Sequence, residues 1–405
     1  MRKLVVLCIG LFLIATLVHP VCSDDKPIKL GVMFISSGPL GGYGINGQRA
    51  IEMAIAEING SGGVLGRKLA ATFGDTKLKP EVAVELAEKF TTEDKVDFLM
   101  GPTSSGVAMA LSEAARKHKK ILINTQAATD ALTGAKFNPY LFSILSNVMM
   151  HSRAGAYYMA SKPYKRWMCI GPDYNYGHES WRFFREKLKE LKPEMEVVGE
   201  TFPKLMAKEY GTYIEEIRKV KPDAVWCPLW GQDAVDFIKQ AKAAKLFDEI
   251  KFAFPVGAAL ETLVPLGKET PAGLFMSSRY FFTTPDSAEN REFVKRYHDK
   301  YKEYPDYMAE ETYAGVYFIK AAMERAGTAD PEAIVKAVER EPLAWMTPEW
   351  KIMRPEDHQV VKDVVWGETA YSDKYGFAVL ANIQSIRGEQ ICRTPEELKK
   401  VNRNP

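Results

Sequence analysis

From Lys26 onward, short apolar runs alternate with amphipathic helical stretches, and this alternation restricts the fold more than any other feature of the chain. The run 28–35 reads as a strand, and the following stretch places Ala50, Ile51, Ala54, Ile55 and Ile58 on one helical face. Leu69 to Phe73, Val96 to Met100 and Ile121 to Ile123 repeat the strand signal, with helical patterns over 80–90 and 104–118 between them. Repetition of this kind predicts a mostly parallel sheet covered on both faces. After about Asn147 the pattern restarts, with strands expected at 167–170, 197–201, 224–229, 252–254 and 274–277 and helices at 179–191, 210–220 and 233–245. The expected fold class is therefore α/β, with two Rossmann-like lobes.

Residues 287–341 change character to consecutive helices, and 350–366 alternates as a short hairpin would. Helices without strands of their own need a sheet to cover, so this section is expected to return to the first lobe. That gives lobe 1 as 28–147 plus 278–365, lobe 2 as 148–277 plus 366–395, and a hinge of several segments. Residues 396–405 read as a frayed tail, rich in charge, Pro and Asn.

The start of the chain reads as a cleaved secretory signal, residues 1–23. Met1-Arg2-Lys3 is basic, Leu4 to Val18 is uncharged and largely apolar, and His19-Pro20 breaks the run before Ser23. The apolar run is shorter than the roughly 20 residues of a spanning helix. Removing Arg2 and Lys3 from the 54 basic residues leaves them equal in number to the 52 acidic ones. A neutral mature chain has no long-range field for nucleic acid or an acidic membrane. Cleavage also removes Cys8 and Cys22, and the odd remainder, Cys169, Cys227 and Cys392, cannot form a disulfide framework.

Gly42-Tyr43-Gly44-Ile45-Asn46-Gly47 spells G-x-G-x-x-G, with Asp75 at the end of the next strand as the acid such a motif requires. A dinucleotide loop turns directly off its strand, however, and here Ser36 to Gly41, with Pro39 inside, intervenes. Nicotinamide cofactors are also not a usual resource for an exported protein. The glycines at 38, 41, 42 and 44 are instead expected to open backbone conformations closed to other residues and to let a ligand approach the chain, with Tyr43 presented at the strand's carboxyl end. Gly101 to Gly106 after the third strand and Ala127 to Asp130 after the fourth add hydroxyl-bearing helix starts at the same sheet edge, a cradle for an anion such as a carboxylate. Taken singly, each is as well explained by an N-cap. No G-x-S-x-G, H-E-x-x-H or paired CxxC occurs, and the six histidines are scattered. A catalytic residue, metal or cofactor is not expected.

These residues resemble a type I periplasmic solute-binding protein of the leucine/isoleucine/valine-binding group. The resemblance spans roughly 29–367 and rests on SGPLGGYG at 37–44, AIAEINGSGGVLGRKL at 54–69, GPTSSG at 101–106, AATD at 127–130 and DYNYG at 173–177. It implies two lobes that close on a ligand, and a monomer working with the membrane permease of an ABC importer. It implies a ligand carboxylate held by Ser105, with Ser104 adjacent, and by Ala127, Ala128 and Thr129, with Tyr43 and Tyr176 as aromatic walls. Leu229 and Trp230 fall on a ligand-contacting loop of lobe 2.

Amino-acid binders of the group place a glutamate for the ligand ammonium where this chain has Val256. Burying an ammonium without a counter-charge costs several kcal/mol, unless Asp173 or Asp233 substitutes. With Trp226, Trp230, Tyr174, Tyr176, Phe254, Tyr280 and Phe281 near strand ends, the expectation is an aromatic or bulky apolar acid, about half of these rings lining the cleft. The alternatives are a branched-chain amino acid or short amide, or a sensory domain of the same fold.

Overall fold

The structure, a computed structural model, describes residues 26–401. The expected signal segment lies outside the described residues. Strands β1 (Ile28–Phe34), β2 (Leu69–Asp75), β3 (Phe98–Gly101), β4 (Ile121–Asn124) and β5 (Leu141–Ser143) form a parallel sheet in the order β2-β1-β3-β4-β5. Central β3 and β4 are buried at every position, as parallel strands covered on both faces must be, while edge strand β2 is largely half-exposed.

The chain then builds β6 (Arg166–Ile170), β7 (Glu196–Thr201), β8 (Ala224–Trp226), β9 (Lys251–Phe254) and β10 (Phe275–Ser278), all parallel. After these come β11 (Leu343–Met346), β12 (Trp350–Met353) and β13 (Val360–Val361), a small antiparallel sheet, and then β14 (Val364–Ser372) and β15 (Phe377–Ile386). The last two complete a seven-stranded sheet, β15-β14-β10-β9-β8-β6-β7, with β14 antiparallel to both neighbours. The chain crosses between the two large sheets after β5, after β10 and before β14, so this is the two-lobed α/β fold with a multi-segment hinge.

The helices Ala288–Tyr301, Tyr307–Ala326 and Pro331–Arg340 return to the first sheet. A β-carbon on Gly315 would stand 2.6 Å from the Met100 methyl and 3.2 Å from Ile123, so the helix lies directly on β3 and β4. The hairpin expected over 350–366 is displaced. Trp350–Met353 pairs with β11 and β13, and Val364–Ser372 leaves for the other sheet. Period-2 alternation marks a strand but does not name its partner.

The end of the chain also differs from its expectation. Pro395–Lys400 is a helix closed by a capping box between Thr394 and Glu397, and Glu397 pairs with the half-buried Arg153. Arg393 is buried and pairs with Asp130 and Asp357, anchoring this helix. Cys169, Cys227 and Cys392 are free, buried thiols. No helix among the described residues is long and apolar enough to cross a membrane.

Candidate functional site

In open α/β sheets, ligands bind beyond the carboxyl ends of the strands, and here the carboxyl ends of both large sheets face one cleft. On one side, the loop after β3 leads into the helix Ser105–His118, whose N-cap Ser104 accepts from the Val107 amide at 3.4 Å. Thr103 donates to Gln126 Oε1 at 2.9 Å, Gln126 Nε2 donates to the Tyr43 carbonyl at 3.1 Å, and three loops are thereby tied together. On the other side, Tyr174 and Tyr176 follow β6, Trp230 follows β8, Val256 follows β9 and Arg279 follows β10. Trp230 Nε1 donates to the Tyr174 hydroxyl at 3.0 Å, fixing both rings.

Between the two sides lies a cavity of about 270 Å³, lined by Tyr43, Leu78, Thr103, Ser104, Ser105, Gly106, Gln126, Ala128, His151, Tyr174, Tyr176, Leu205, Trp230, Val256, Arg279 and Tyr307. Seven of the ten residues expected from sequence are therefore together on its wall: Tyr43, Ser104, Ser105, Ala128, Tyr176, Trp230 and Val256. Ala127, Thr129 and Leu229 are not on it. Ala127 packs in the apolar cluster behind, with its amide bound to Asn124 Oδ1, and Leu229 is fully buried in the core. The Thr129 hydroxyl lies 3.3–3.4 Å from both Glu179 oxygens, beside the Asp130 amide at 3.4 Å. It bridges the lobes at the flank of the cleft.

Of the rings near strand ends, Tyr174, Tyr176 and Trp230 reach the cavity. Trp226, Phe254, Tyr280 and Phe281 are core residues. Asp173 is exposed and bonds His178, and the buried Asp233 accepts from the Met206 amide; neither lines this cavity, so neither replaces the missing acid at Val256. The glycines of the first loop also act differently from their expectation. Only Gly38 has a positive φ, +68°. A β-carbon at Gly44 would lie 2.1 Å from the Ile35 carbonyl oxygen, and at Gly47 2.8 Å from the Phe34 ring. These two glycines let the helix Gly41–Gly60 close onto β1, and the residue of this loop on the cavity wall is Tyr43.

Sequence reasoning missed Arg279, which is nearly inaccessible yet on the wall. Nη1 donates to the Gln126 carbonyl at 3.1 Å, the guanidinium lies 4.1 Å from the Tyr307 ring centre, and Nε is 3.4 Å from Glu311 Oε2. Burial works against its charge, and Glu311 and then Tyr307 more than offset that. The available signal was its place, the first charged residue after an apolar strand. His151 comes from the helix Val148–Ala160, and neither ring nitrogen has a well-formed hydrogen bond. Burial, then the field of Arg279, holds its pKa well below the ordinary value, with only the nearby Pro255 carbonyl opposing, so it is neutral. The Tyr176 hydroxyl is likewise buried without a partner, and burial pushes its pKa up.

Tyr43 meets Trp230 edge-on at 5.5 Å and donates to Glu261 Oε1 at 2.8 Å. Glu261 stands behind Tyr43, in a separate recess that also contains Asn46 and Asp306. The arrangement offers one fixed cation, neutral donors and flat apolar walls. Among the described residues no histidine bonds a serine or cysteine side chain, and no group of three or more His, Cys, Asp or Glu is placed to hold a metal.

Comparison with known proteins agrees with this architecture. The chain is 25% identical over 327 residues to the Leu/Ile/Val-binding protein of Citrobacter freundii, covering 79% of this chain and 87% of that protein. It is 26% identical over 270 residues to the Leu/Ile/Val/Thr-binding protein of Salmonella typhimurium, covering 67% and 71%. Among solved structures, a periplasmic binding protein of Burkholderia mallei aligns with a TM-score of 0.82 at 22% identity, covering 92% of this chain and 97% of that one. A solute-binding protein of an ABC transporter from Rhodopseudomonas palustris, in complex with 3,4-dihydroxybenzoic acid, aligns at 0.80 and 21% identity, covering 92% and 99%. The family model described as periplasmic binding protein matches residues 27–372, and the chain belongs to that family.

Proposed function

We propose that this protein captures a small aromatic or bulky apolar carboxylate in the cleft and presents it to an ABC-importer permease. The observation that carries this reading is Arg279, the one charged side chain among the lining residues. A buried guanidinium that shares a wall with the helix start at Ser105 favours an anion, through charge-assisted hydrogen bonds and the positive end of the helix dipole. Tyr43, Tyr174, Tyr176 and Trp230 supply flat apolar surface for the rest of the molecule.

An ammonium has no counter-charge on this wall. The carboxylates of Glu261 and Glu311 stand behind Tyr43 and Arg279, where Glu261 accepts from Tyr43 and Glu311 faces the guanidinium. This weighs against the branched-chain amino acids named for the relatives and in favour of acids such as the 3,4-dihydroxybenzoic acid of the Rhodopseudomonas complex. The protein would act in the periplasm as a monomer, binding without turnover.

A thermal-shift screen of benzoate, 4-hydroxybenzoate and branched keto acids against leucine tests the reading. A ligand at a hundred times its Kd stabilises by about 2.7 kcal/mol. Stabilisation by leucine with none by the acids would overturn it.

A further inference from the structure

Arg279 stands between the cavity and a buried cluster of charges. Behind it, Glu310 and Glu311 occupy consecutive positions on the helix Tyr307–Ala326, Lys351 comes from β12, Lys362 follows β13, and Glu349 precedes β12. Lys362 Nζ lies 2.7 Å from Glu349, 3.4 Å from Glu310 and 3.7 Å from Glu311. Lys351 pairs with Glu310 and lies 3.4 Å from Glu349. With Arg279 the cluster holds three cations and three anions. It is almost wholly out of solvent: the side chains of Glu310, Glu311, Lys351 and Lys362 are 0% exposed.

The three carboxylates are not held alike. Glu310 and Glu349 each accept from lysine ammonium groups, whereas neither oxygen of Glu311 accepts a hydrogen bond. Glu311 is retained by proximity alone, to Arg279 at 3.4 Å and to Lys362 at 3.7 Å. A ligand carboxylate arriving at Arg279 would make four anions against three cations, in a cluster whose Glu310, Glu311, Lys351 and Lys362 side chains are fully buried. Excess buried charge of that kind costs several kcal/mol unless one group neutralises.

Resting on the reading of the cavity as a carboxylate site, we propose that the acid is captured together with one proton, which Glu311 accepts as Arg279 turns its charge to the ligand. The proton leaves a buffer acid or hydronium in the solvent, whose O–H or N–H bond breaks, and forms the O–H bond on Glu311; the ligand and the rest of the protein form and break no covalent bond. Burial already pushes the Glu311 pKa up to about 7, and Arg279 is the first of the groups holding it down, followed by Lys362; Glu310 acts upward and Lys351 downward. An anion that occupies Arg279 removes the largest restraint. His151, from the helix Val148–Ala160, stands in the field of both Arg279 and Lys362 and is kept neutral by burial. Tyr174, Tyr176 and Tyr307 face Arg279 with their pKa values pushed up by burial, and Glu349, against its burial, is held below its ordinary value by Lys362.

Calorimetric titration of the full chain with benzoate at pH 7.5, in phosphate and in Tris, reads the proton directly, because the two buffers differ in ionisation enthalpy. The expected result is uptake approaching one proton per benzoate, with affinity falling up to about tenfold per pH unit above neutrality. Glu311→Gln should bind benzoate without uptake and without that pH dependence. Equal heats in the two buffers would overturn the inference and leave the carboxylate site standing, and uptake that persists in Glu311→Gln would overturn the assignment to Glu311. No binding of benzoate or of any other acid would overturn the reading of the cavity and this inference together. The wild-type comparison decides whether a proton is taken up even where the variant fails to fold.

Discussion

Tyr43, on the first turn of a helix that follows β1, donates its phenolic hydrogen to Glu261 Oε1 at 2.8 Å, and Glu261 belongs to the helix Leu260–Leu266 that follows β9. The bond joins the two lobes at one flank of the cleft, as Thr129 and Asp130 with Glu179 join them at the other. Tyr307 donates to the same Glu261 oxygen at 3.3 Å. One carboxylate thus gathers two of the aromatic residues that wall the cavity.

Tyr43→Phe keeps the ring and loses this bond. A net hydrogen bond contributes about 1 kcal/mol, so ligand affinity should fall about fivefold by calorimetry. Tyr43→Ala also removes the edge-on contact with Trp230 and should weaken binding further. Equal affinities for the two variants would show that the ring does not face the ligand.

Arg279→Gln should reduce affinity for an organic acid by about 30-fold or more, since truncating one partner of a buried charged pair costs about 2–5 kcal/mol. It should also lower Tm, because Glu311 is left without its nearest cation. Adding Glu311→Gln should recover Tm without recovering affinity. Restoration of both by the double substitution would place Arg279 in folding alone.

Val256→Glu places an anion on a wall whose charged residue is Arg279. The new carboxylate should repel the ligand acid and compete for the guanidinium, so benzoate affinity should fall at least about tenfold, a penalty of about 1.4 kcal/mol. The ratio of leucine to benzoate affinity should rise. Competition binding with both ligands checks this.

Burial, and after it the neighbouring Asp306, pushes the Glu261 pKa up to about 7, above its ordinary value near 4.5. The native state therefore binds more protons than the unfolded state between about pH 4.5 and 7, and the contribution of this group to stability declines as pH rises through that window. Glu261→Gln keeps an acceptor for Tyr43 but does not titrate. Scanning calorimetry at pH 5 and 7.5 should show a smaller loss of Tm on raising the pH in the variant than in the wild type.

Gly44→Ala should destabilise by about 1–3 kcal/mol, because its β-carbon would lie 2.1 Å from a backbone oxygen that cannot move aside. Gly42→Ala, with nothing within 4 Å of the added carbon, should be neutral or slightly stabilising. Chemical denaturation of both compares them, and equal losses would contradict the packing role assigned to Gly44.

Much of this protein is local in origin. The parallel strands announced themselves because strands covered on both faces must be apolar throughout, as β3 and β4 are. Ser104, Ser105 and Ala128 were legible because they follow such strands directly, where an open sheet places its ligands. The same reasoning selected Ala127 and Thr129, and the family resemblance Leu229, each within a residue or two of the wall but turned to a core or a lobe contact. A change of one residue along a loop reverses the direction of a side chain, and neither composition nor spacing records that direction.

By itself the sequence determined most of the parallel strands and of the helices between them, the two α/β lobes, the return of the last helices to the first sheet, and the loops that border the cleft; β5, the helix Val148–Ala160 and the pairing of β11 to β15 were not among these. Periodicity and glycine placement act within a few residues of one another. Only the tertiary structure decided that Arg279, His151 and Tyr307, far apart along the chain, share one wall, that Glu261 stands behind Tyr43, and that Glu311 sits in the dark of a balanced charge cluster. The function of these groups depends on burial and on opposed charges from distant segments, and those quantities exist only once the chain has closed around them.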